Sequence, residues 1–567
     1  MINRKIKSTL QYLKIISFLY LSATSAFAQT IPDSVDPGRL LEQFPQPSVS
    51  PLTLPSLVLP KNDLVNAPEG ANDVSLVLQS VKITGMSAFD KNDVKHLYAE
   101  KLGQEVSADY IWQIASKLTK LYQENGFFLT RVLVPAQSID NGNVQIDVIE
   151  GYIANIEFKG EYPIDGHIQS ITEAILQQKP TNIKKLESQL LQLNDLFGVR
   201  FKSVLGKSST DENGAVALIL QQTDNREAEA AISTNNYGSQ FVGPQRVNFS
   251  YESSLLPYQK TSITGMASVP DTGELTLGSL GHQVQINTST TLTLSLSRTA
   301  SAPGSTLSRS QLESNSTSGQ IGMEWGLIRQ RLENLRLSLQ LNFLNSKTDT
   351  LGTALTRDRV RTIKFGGIYN FTDRFNGVNT IGLTLTRGLS LFNASEKNDK
   401  NLSRSDAAPE FTKLEARFSH QSYLSDNTAL TLALQGQVAS DSLYSSEEFG
   451  FGGINTGRAY DFSEITGDQG ISALVELQYN GVASLSEYQV TPFVFYDFGK
   501  VWNKGSAVEE QVSAASAGIG GRIHEENGKG LNMDLTLATP LTKSIDTPLY
   551  KGDPDGVVAR FSVNYRF

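Results

Sequence analysis

The sequence predicts a mixed fold: two small α+β units followed by a 16-stranded antiparallel transmembrane β-barrel. Three observations carry this expectation. Residues 75 to about 222 run twice through strand-like and helix-like apolar spacing. Beyond Gln222 helical periodicity disappears, and runs such as Thr291 to Ser297, Leu335 to Phe343 and Leu430 to Leu434 alternate apolar with polar over about 340 residues. The length of 567 residues exceeds one ordinary soluble domain, and a single large barrel absorbs the excess. A soluble all-β sandwich is the competing architecture, but the alternating faces would lack a partner sheet of matching size.

Composition narrows the chemistry. Cysteine is absent, which removes disulfides, thiol nucleophiles and zinc-thiolate sites. The five histidines (His96, His167, His282, His420, His524) are scattered and form no HExxH pair. No phosphate-binding GxxxxGK[ST] loop, GxSxG elbow or dinucleotide-type GxGxxG is found, and a net charge of -9 without a basic block argues against nucleic acid. No enzyme, cofactor or metal site is therefore expected.

Arg4, Lys5 and Lys7 precede an apolar run, Ile15 to Leu21, and Ser25-Ala26-Phe27-Ala28 has the form of a cleavage site, so residues 1–28 read as a secretory signal peptide. From residue 29 to 74, prolines at 32, 37, 45, 47, 51, 55, 60 and 68 predict an extended linker. One island differs. Asp36 and Pro37 suit a helix start, and Leu40, Leu41 and Phe44 then share a side, so 36–44 is either a short helix on a tether or an unstructured leader.

The first α+β unit is expected at 75–151, with a strand over Val77 to Thr84, a helix capped by Asp90, and a helical stripe of Ile111, Ile114, Ala115, Leu118, Leu121 and Tyr122. Strands Leu129 to Val134 and Val144 to Ile149 follow. The second unit, 152–225, repeats the order: a strand near Ile153, helices around Ile171 and from Ile183 to Phe197, then strands at Phe201 to Leu205 and Val216 to Gln221. In 226–567 sixteen strands are expected to begin near Ala230, Arg246, Lys260, Leu275, Thr290, Gly319, Leu335, Arg361, Asn379, Thr412, Thr428, Ser472, Gln489, Ala514, Leu531 and Val557.

Phe449 to Gly470 (FGFGGINTGRAYDFSEITGDQG) is rich in glycine with one cation, Arg458, and reads as a loop. In Phe493 to Trp502, Phe493, Phe495, Asp497 and Gly499 lie two apart, so a strand there shows one carboxylate among aromatics on a single face. An inward acid and an arginine on a long loop invite a pairing. From the residues alone, an ordinary glycine-rich loop and a strand-end acid meeting solvent remain open.

The run from Leu121 to Gly160 resembles the first POTRA domain of two-partner secretion transporters, the TpsB family (hemolysin secretion/activation type). The resemblance rests on Tyr122-x-x-x-Gly126-Phe127, Leu133-Val134-Pro135-x-Gln137 and Ile149-Glu150-Gly151-Tyr152-Ile153. It implies two POTRA domains in the periplasm, a barrel in the bacterial outer membrane, and passage of an unfolded exoprotein to the cell surface. An outer-membrane insertase or assembly factor of the same superfamily is the alternative. In that superfamily a loop between strands eleven and twelve, here about 440–471, folds into the pore, and its arginine pairs with an acid on strand thirteen. The resemblance thus implies a lock between Arg458 and Asp497, with Gly457, Tyr460, Phe495 and Gly499 as motif residues, and a plug helix carrying Leu40, Leu41 and Phe44. Ala459 stands where the family usually has glycine. The implied partners are a large TpsA-like exoprotein with an N-terminal secretion domain, outer-membrane lipid, and the barrel-assembly machinery, whose signal the terminal Phe561, Val563, Tyr565 and Phe567 resemble.

Overall fold

In the computed structural model the described residues are 32–40, 66–139, 141–160, 166–223, 228–254, 256, 258–269, 274–480, 482–485, 488–504, 511–525, 530–542 and 556–567. Among them, strands close into one antiparallel barrel: β1 (Ala228–Asn235), β2 (Arg246–Ser253), β3 (Gln259–Ser268), β4 (Glu274–Asn287), β5 (Thr290–Ala302), β6 (Leu312–Arg329), β7 (Glu333–Thr350) and β8 (Thr353–Thr372). The circuit continues with β9 (Val378–Gly388), β10 (Thr412–Ser425), β11 (Thr428–Ala439), β12 (Gln469–Tyr479, prolonged by Val482–Leu485), β13 (Tyr488–Trp502), β14 (Gln511–Glu525), β15 (Gly530–Pro540) and β16 (Val558–Arg566). Both pieces of β12 pair with β13, so the described barrel has sixteen strands. Closure comes from β16 on β1, with Ser562 opposite Asn235 through Arg566 opposite Ala231.

Alternation explains the wall. On β13, Phe493, Phe495 and Asp497 are buried inside, whereas Val494 and Tyr496 between them are half exposed on the outer face. Leu294 and Leu296 of β5, Leu383 and Leu385 of β9, and Leu535 and Leu537 of β15 are likewise exposed apolar residues two apart. A soluble protein would hide such rows; a bilayer solvates them. No described helix is long and apolar enough to cross a membrane.

Expected strand starts fall within a few residues of the observed ones except at β6 and β8, which begin at Leu312 and Thr353 and not near Gly319 and Arg361. The reason is length. β6 and β7 have 18 residues each and β8 has 20, while about 9–11 tilted residues cross the hydrocarbon. The surplus, Leu312–Ser318 and Thr353–Val360, is mostly polar because it stands beyond the lipid, and apolar alternation starts only where the lipid does.

The two N-terminal units share one topology. In the first, Ser80–Thr84 lies parallel to Asn143–Ile149, which pairs antiparallel with Arg131–Leu133. In the second, Tyr152–Lys159, Ala215–Gln222 and Phe201–Lys207 repeat that arrangement. Helices Lys91–Lys95 and Asp109–Glu124 cover the first sheet, Gly166–Leu176 and Ile183–Asn194 the second. The stripe on Asp109–Glu124 is buried as its spacing requires, and Asp90 caps Lys91–Lys95 in a capping box with Asp93. The expected Val77 to Thr84 strand is broken: Ser75–Val77 pairs with Glu105–Ser107, and the chain resumes pairing at Ser80 after the buried Leu78.

The three quoted motifs of the first unit have one physical account. Tyr122 Oη donates to Glu150 Oε1 at 2.6 Å, joining the helix motif to the motif that leads into the second unit. Glu150 also accepts from the Ser87 and Ala88 amides, both at 2.8 Å, and from the Ser87 hydroxyl. After Pro135, which cannot donate to a ladder, Gln137 substitutes for backbone: its Nε2 donates to Gln145 O at 2.8 Å and its Oε1 accepts from Gln145 N at 2.7 Å.

Partial burial alone would raise the Glu150 carboxyl, but its hydrogen bonds outweigh that and hold it below its ordinary value of 4.5. A depressed carboxylate contributes in full above that ordinary value, and the contribution fades as pH falls through the folded value. Glu150→Gln is expected to speed hydrogen exchange at Ser87 and Ala88 about fivefold at pH 7, roughly 1 kcal/mol after discounting for solvent screening. The gap between variant and wild type should narrow below pH 4.5. A gap independent of pH would contradict the assignment.

The second unit sits against the barrel rim. Arg329 of β6 grips Asp195 with two bonds of 2.6 and 2.7 Å, Gln285 Oε1 accepts from Phe197 N at 3.1 Å, and His167 stacks on Tyr258 at 4.5 Å. Tyr258 belongs to the turn before β3 yet is buried in the core of the second unit.

Candidate pore plug

Between β11 and β12 the chain turns back into the barrel. The sequence reads Phe449 to Gly470 as loop throughout; the structure corrects this, pairing Phe449–Phe451 antiparallel with Ile465–Gly467. The cause is a short alternation that the glycines conceal: Phe449, Phe451 and Ile465 are buried against the wall. Two wall glycines make room for the rings. A Cβ on Gly499 would lie 2.3 Å from Phe451 ring carbons, and one on Gly470 would lie 2.1 Å from the Phe449 ring. Gly457 has φ +73°, a conformation that side chains disfavour, and presses on the same Phe451 ring.

The structure brings Arg458 and Asp497 together. Arg458 Nε and Nη2 donate to the two Asp497 oxygens at 3.1 and 3.0 Å, and the Gly457 and Arg458 amides donate to Oδ2, both at 3.1 Å. Both side chains are buried. The guanidinium lies over the Phe495 ring at 3.5 Å, so the strand motif supplies its acid, its aromatic platform and its cavity-making glycine from alternate residues. Tyr460 Oη donates to Ala515 O of β14 at 2.8 Å, and Tyr460 N closes a turn on Gly457 O at 2.8 Å. Ala459 is buried and has no positive φ, so the family's glycine is not needed at this position.

Sequence reasoning found one acid and missed the network around it. Arg458 Nη1 also donates to Glu476 of β12 at 2.5 Å. Glu476 in turn accepts from Arg522 of β14 at 2.6 and 3.1 Å, and Arg522 reaches Asp534 of β15 at 3.1 Å. Charged residues at inward positions of strands otherwise apolar outward mark Glu476, Arg522 and Asp534 as candidates, but sequence spacing does not say which of them meet. A second tie joins the loop to the C-terminal strand, where Arg560 of β16 meets Asp461 at 3.1 Å and Tyr460 O at 3.2 Å. At the rim farther from the α+β units, Arg404 binds Glu448 at 2.5 Å and Asp468 at 2.6 Å, fastening the roots of the hairpin.

The leader segment 32–40 is threaded into the same lumen. Ser316 of β6 donates to Pro37 O at 2.8 Å, and Arg39 donates to Ser445 O at 2.7 Å and Ser463 Oγ at 3.1 Å, contacts with the wall and the inward loop. Leu40 is buried with Val35, Phe241, Met266 and Leu277. The helix start expected at Asp36 is not formed. A 3-10 turn occupies Asp33–Val35, and Asp36 instead accepts from Gly38 N at 2.7 Å in a turn. Leu41 and Phe44 lie outside the described residues. Phe567 is exposed, with its amide donating to Ala230 O at 3.0 Å and its ring edge-on to Tyr565 at 5.0 Å.

Because the Phe451 ring fills the space over Gly499, Gly499→Val is expected to dislodge the hairpin, at about 1–3 kcal/mol. The check is protease access to residues 440–468 in detergent-solubilised protein. Cleavage at the wild-type rate would show that the ring's position does not hold the hairpin.

A model of the family described as haemolysin secretion/activation protein ShlB/FhaC/HecB matches residues 285–522, and one of the POTRA domain, ShlB-type, matches residues 76–151. The heme/hemopexin transporter protein HuxB of Haemophilus influenzae (strain 86-028NP) is 22% identical over 561 residues, covering 94% of this chain and 95% of its own. The outer membrane transporter CdiB of Dickeya dadantii (strain 3937) is 20% identical, covering 89% and 90%. Among solved structures, CdiB from Escherichia coli superposes with a TM-score of 0.70 at 17% identity over 91% of this chain and 94% of that one, a likeness of fold. The chain therefore belongs to the haemolysin secretion/activation (ShlB/FhaC/HecB) family of two-partner secretion transporters, with a POTRA domain of the family's own type ahead of the barrel.

Proposed function

We propose that this protein carries an unfolded exoprotein across the bacterial outer membrane, from periplasm to cell surface, by docking on the POTRA units and passing through the barrel. The observation that carries the mechanism is a lumen filled by two removable segments, the β11–β12 hairpin and the 32–40 leader, both held by non-covalent contacts. A barrel of this size without a plug would leak. In this reading Arg458 and Asp497 fasten the hairpin at rest, Gly457, Tyr460, Phe495 and Gly499 shape its seat, and Leu40 helps anchor the leader. An arriving chain competes for the space and releases both.

The partner is a large TpsA-like exoprotein with an N-terminal secretion domain. The sequence carries no phosphate-binding loop for a nucleotide motor, so direction comes from folding outside, which depletes the unfolded form at the surface. Phe567, at the edge of β16 beside Tyr565, is the residue we assign to recognition by the barrel-assembly machinery during biogenesis. The insertase reading shares the loop motif, and family membership favours export.

Export is tested by co-expressing this chain with the product of a candidate gene for a long, repeat-rich exoprotein in a host lacking both. The product should reach the medium only when this chain is present. Unchanged secretion without it, together with loss of other barrels from the outer membrane, would instead establish the insertase.

A further inference from the structure

Beneath the barrel, a groove of about 460 Å³ separates the two helices of the second POTRA unit from the periplasmic turns after β4 and β6. Lys184, Lys185, Gln178 and Gln189 line one side, Thr288 and Gln330 the other. Both lysines lie in the first turn of Ile183–Asn194, where a cation opposes the helix dipole and no acid compensates it. Among the described residues neither ammonium has a carboxylate within ion-pair distance, so helix stability does not account for them. Gln178 donates to Gln189 Oε1 at 2.6 Å and leaves its own Oε1 buried without a hydrogen-bond partner.

The strand ends and the turn beside the groove carry exposed apolar side chains, Ile286 of β4, Leu327 of β6 and Leu332 of the turn after it, each more than half exposed. They end the outer, lipid-facing wall. Two cationic donors thus line a polar groove whose membrane side is flanked by an apolar edge. We propose that this groove holds an anionic glycerophospholipid of the periplasmic leaflet, of the phosphatidylglycerol class: phosphate against Lys184 and Lys185, glycerol hydroxyls at the Gln192 amide and Thr288, acyl chains leaving the groove along Leu327 and Leu332. A lipid so held braces the second POTRA unit against the membrane beside the Arg329 to Asp195 contact.

The proposal rests on the outer-membrane placement of the barrel but not on what is exported, so its test is independent of secretion. Full-length protein in a neutral detergent is titrated with dioleoyl phosphatidylglycerol or dioleoyl phosphatidylethanolamine, and retained lipid is counted by native mass spectrometry. Wild type should keep one phosphatidylglycerol at concentrations where Lys184→Ala/Lys185→Ala does not. The loss should be about fivefold per lysine and about thirtyfold for the pair, while phosphatidylethanolamine retention stays the same. Both lysines are exposed, and far-ultraviolet circular dichroism with heat-modified gel mobility verifies folding. Leu327→Asn is a second arm that keeps the lysines and should weaken retention of long-chain lipid without affecting competition by glycerol 3-phosphate. Equal phosphatidylglycerol retention by wild type and the double variant overturns the proposal. So does saturation of the lysines by glycerol 3-phosphate without displacement of any lipid.

Discussion

Removal of residues 75–222 is expected to abolish export while leaving a closed barrel in the outer membrane. The barrel's ladders lie within β1 to β16, and each POTRA unit has its own apolar core, so neither fold depends on the other for most of its burial. What the deletion removes at the rim is a handful of contacts, among them the Arg329 to Asp195 pair, the bonds of Gln285 to Phe197, Asp195 and His167, Lys260 over the Phe197 ring and the cover over Tyr258. What it removes functionally is the receiving surface. Among the described residues each POTRA sheet has three strands, so Ser80–Thr84 and Arg131–Leu133 in the first and Tyr152–Lys159 and Phe201–Lys207 in the second are edges. An edge accepts an extended chain through backbone bonds, giving affinity with little demand on sequence. The measurement is the amount of exoprotein in the medium, set against heat-modified mobility of the truncated barrel on gels. Normal export by a properly inserted barrel would end the docking role.

How much of this could be read in the chain itself depends on which force shaped each part. Where one face meets lipid or a core, the pattern is written at period two or 3.6: TLTLSLS on β5 and the Ile111 to Tyr122 stripe needed no tertiary information. For Arg458 and Asp497 the residues only invited a pairing, as one loop cation and one inward acid among aromatics and glycines, and the resemblance to the family's loop and strand motifs is what implied it. The pair's extension was not legible. Glu476 and Arg522 lie 46 residues apart in sequence, and only strand registration across β12, β13 and β14 brings them to one level of the lumen. The polar upper halves of β6 to β8 were also silent, because strands outside the bilayer have no apolar face to advertise. The leader misled for a different reason: Asp36 and Pro37 suit a helix start in isolation, but the chain turns at Asp36 with Gly38 pressed against Ser446 and Leu344, and Arg39 reaches the loop.

Arg458→Ala is expected to open the channel. Wild-type protein in a planar bilayer should be mostly closed, and the variant should show frequent large openings with reduced secretion. The substitution leaves Asp497 fully buried with only amide donors and the Ser516 hydroxyl, and leaves Glu476 with Arg522 as its one cation beside the neutral Gln478 amide. Breaking a buried pair from one side costs about 3–5 kcal/mol, against up to about 1 for an exposed one, and a change of that size moves a closed-to-open ratio by roughly two to three and a half powers of ten. The reverse substitution should do less. In Asp497→Ala the guanidinium keeps Glu476 at 2.5 Å and its place over the Phe495 ring, so only part of its compensation is lost. Asp497→Asn should do least, since its amide oxygen still accepts from the Gly457 and Arg458 amides. If the network acts as a unit, Arg458→Ala/Asp497→Ala should open the channel less than the two single effects combined, because no carboxylate is then stranded on β13. Identical conductance in wild type and Arg458→Ala would mean that the Phe449 and Phe451 rings, together with the Arg404 and Arg560 ties, hold the hairpin without help from this pair.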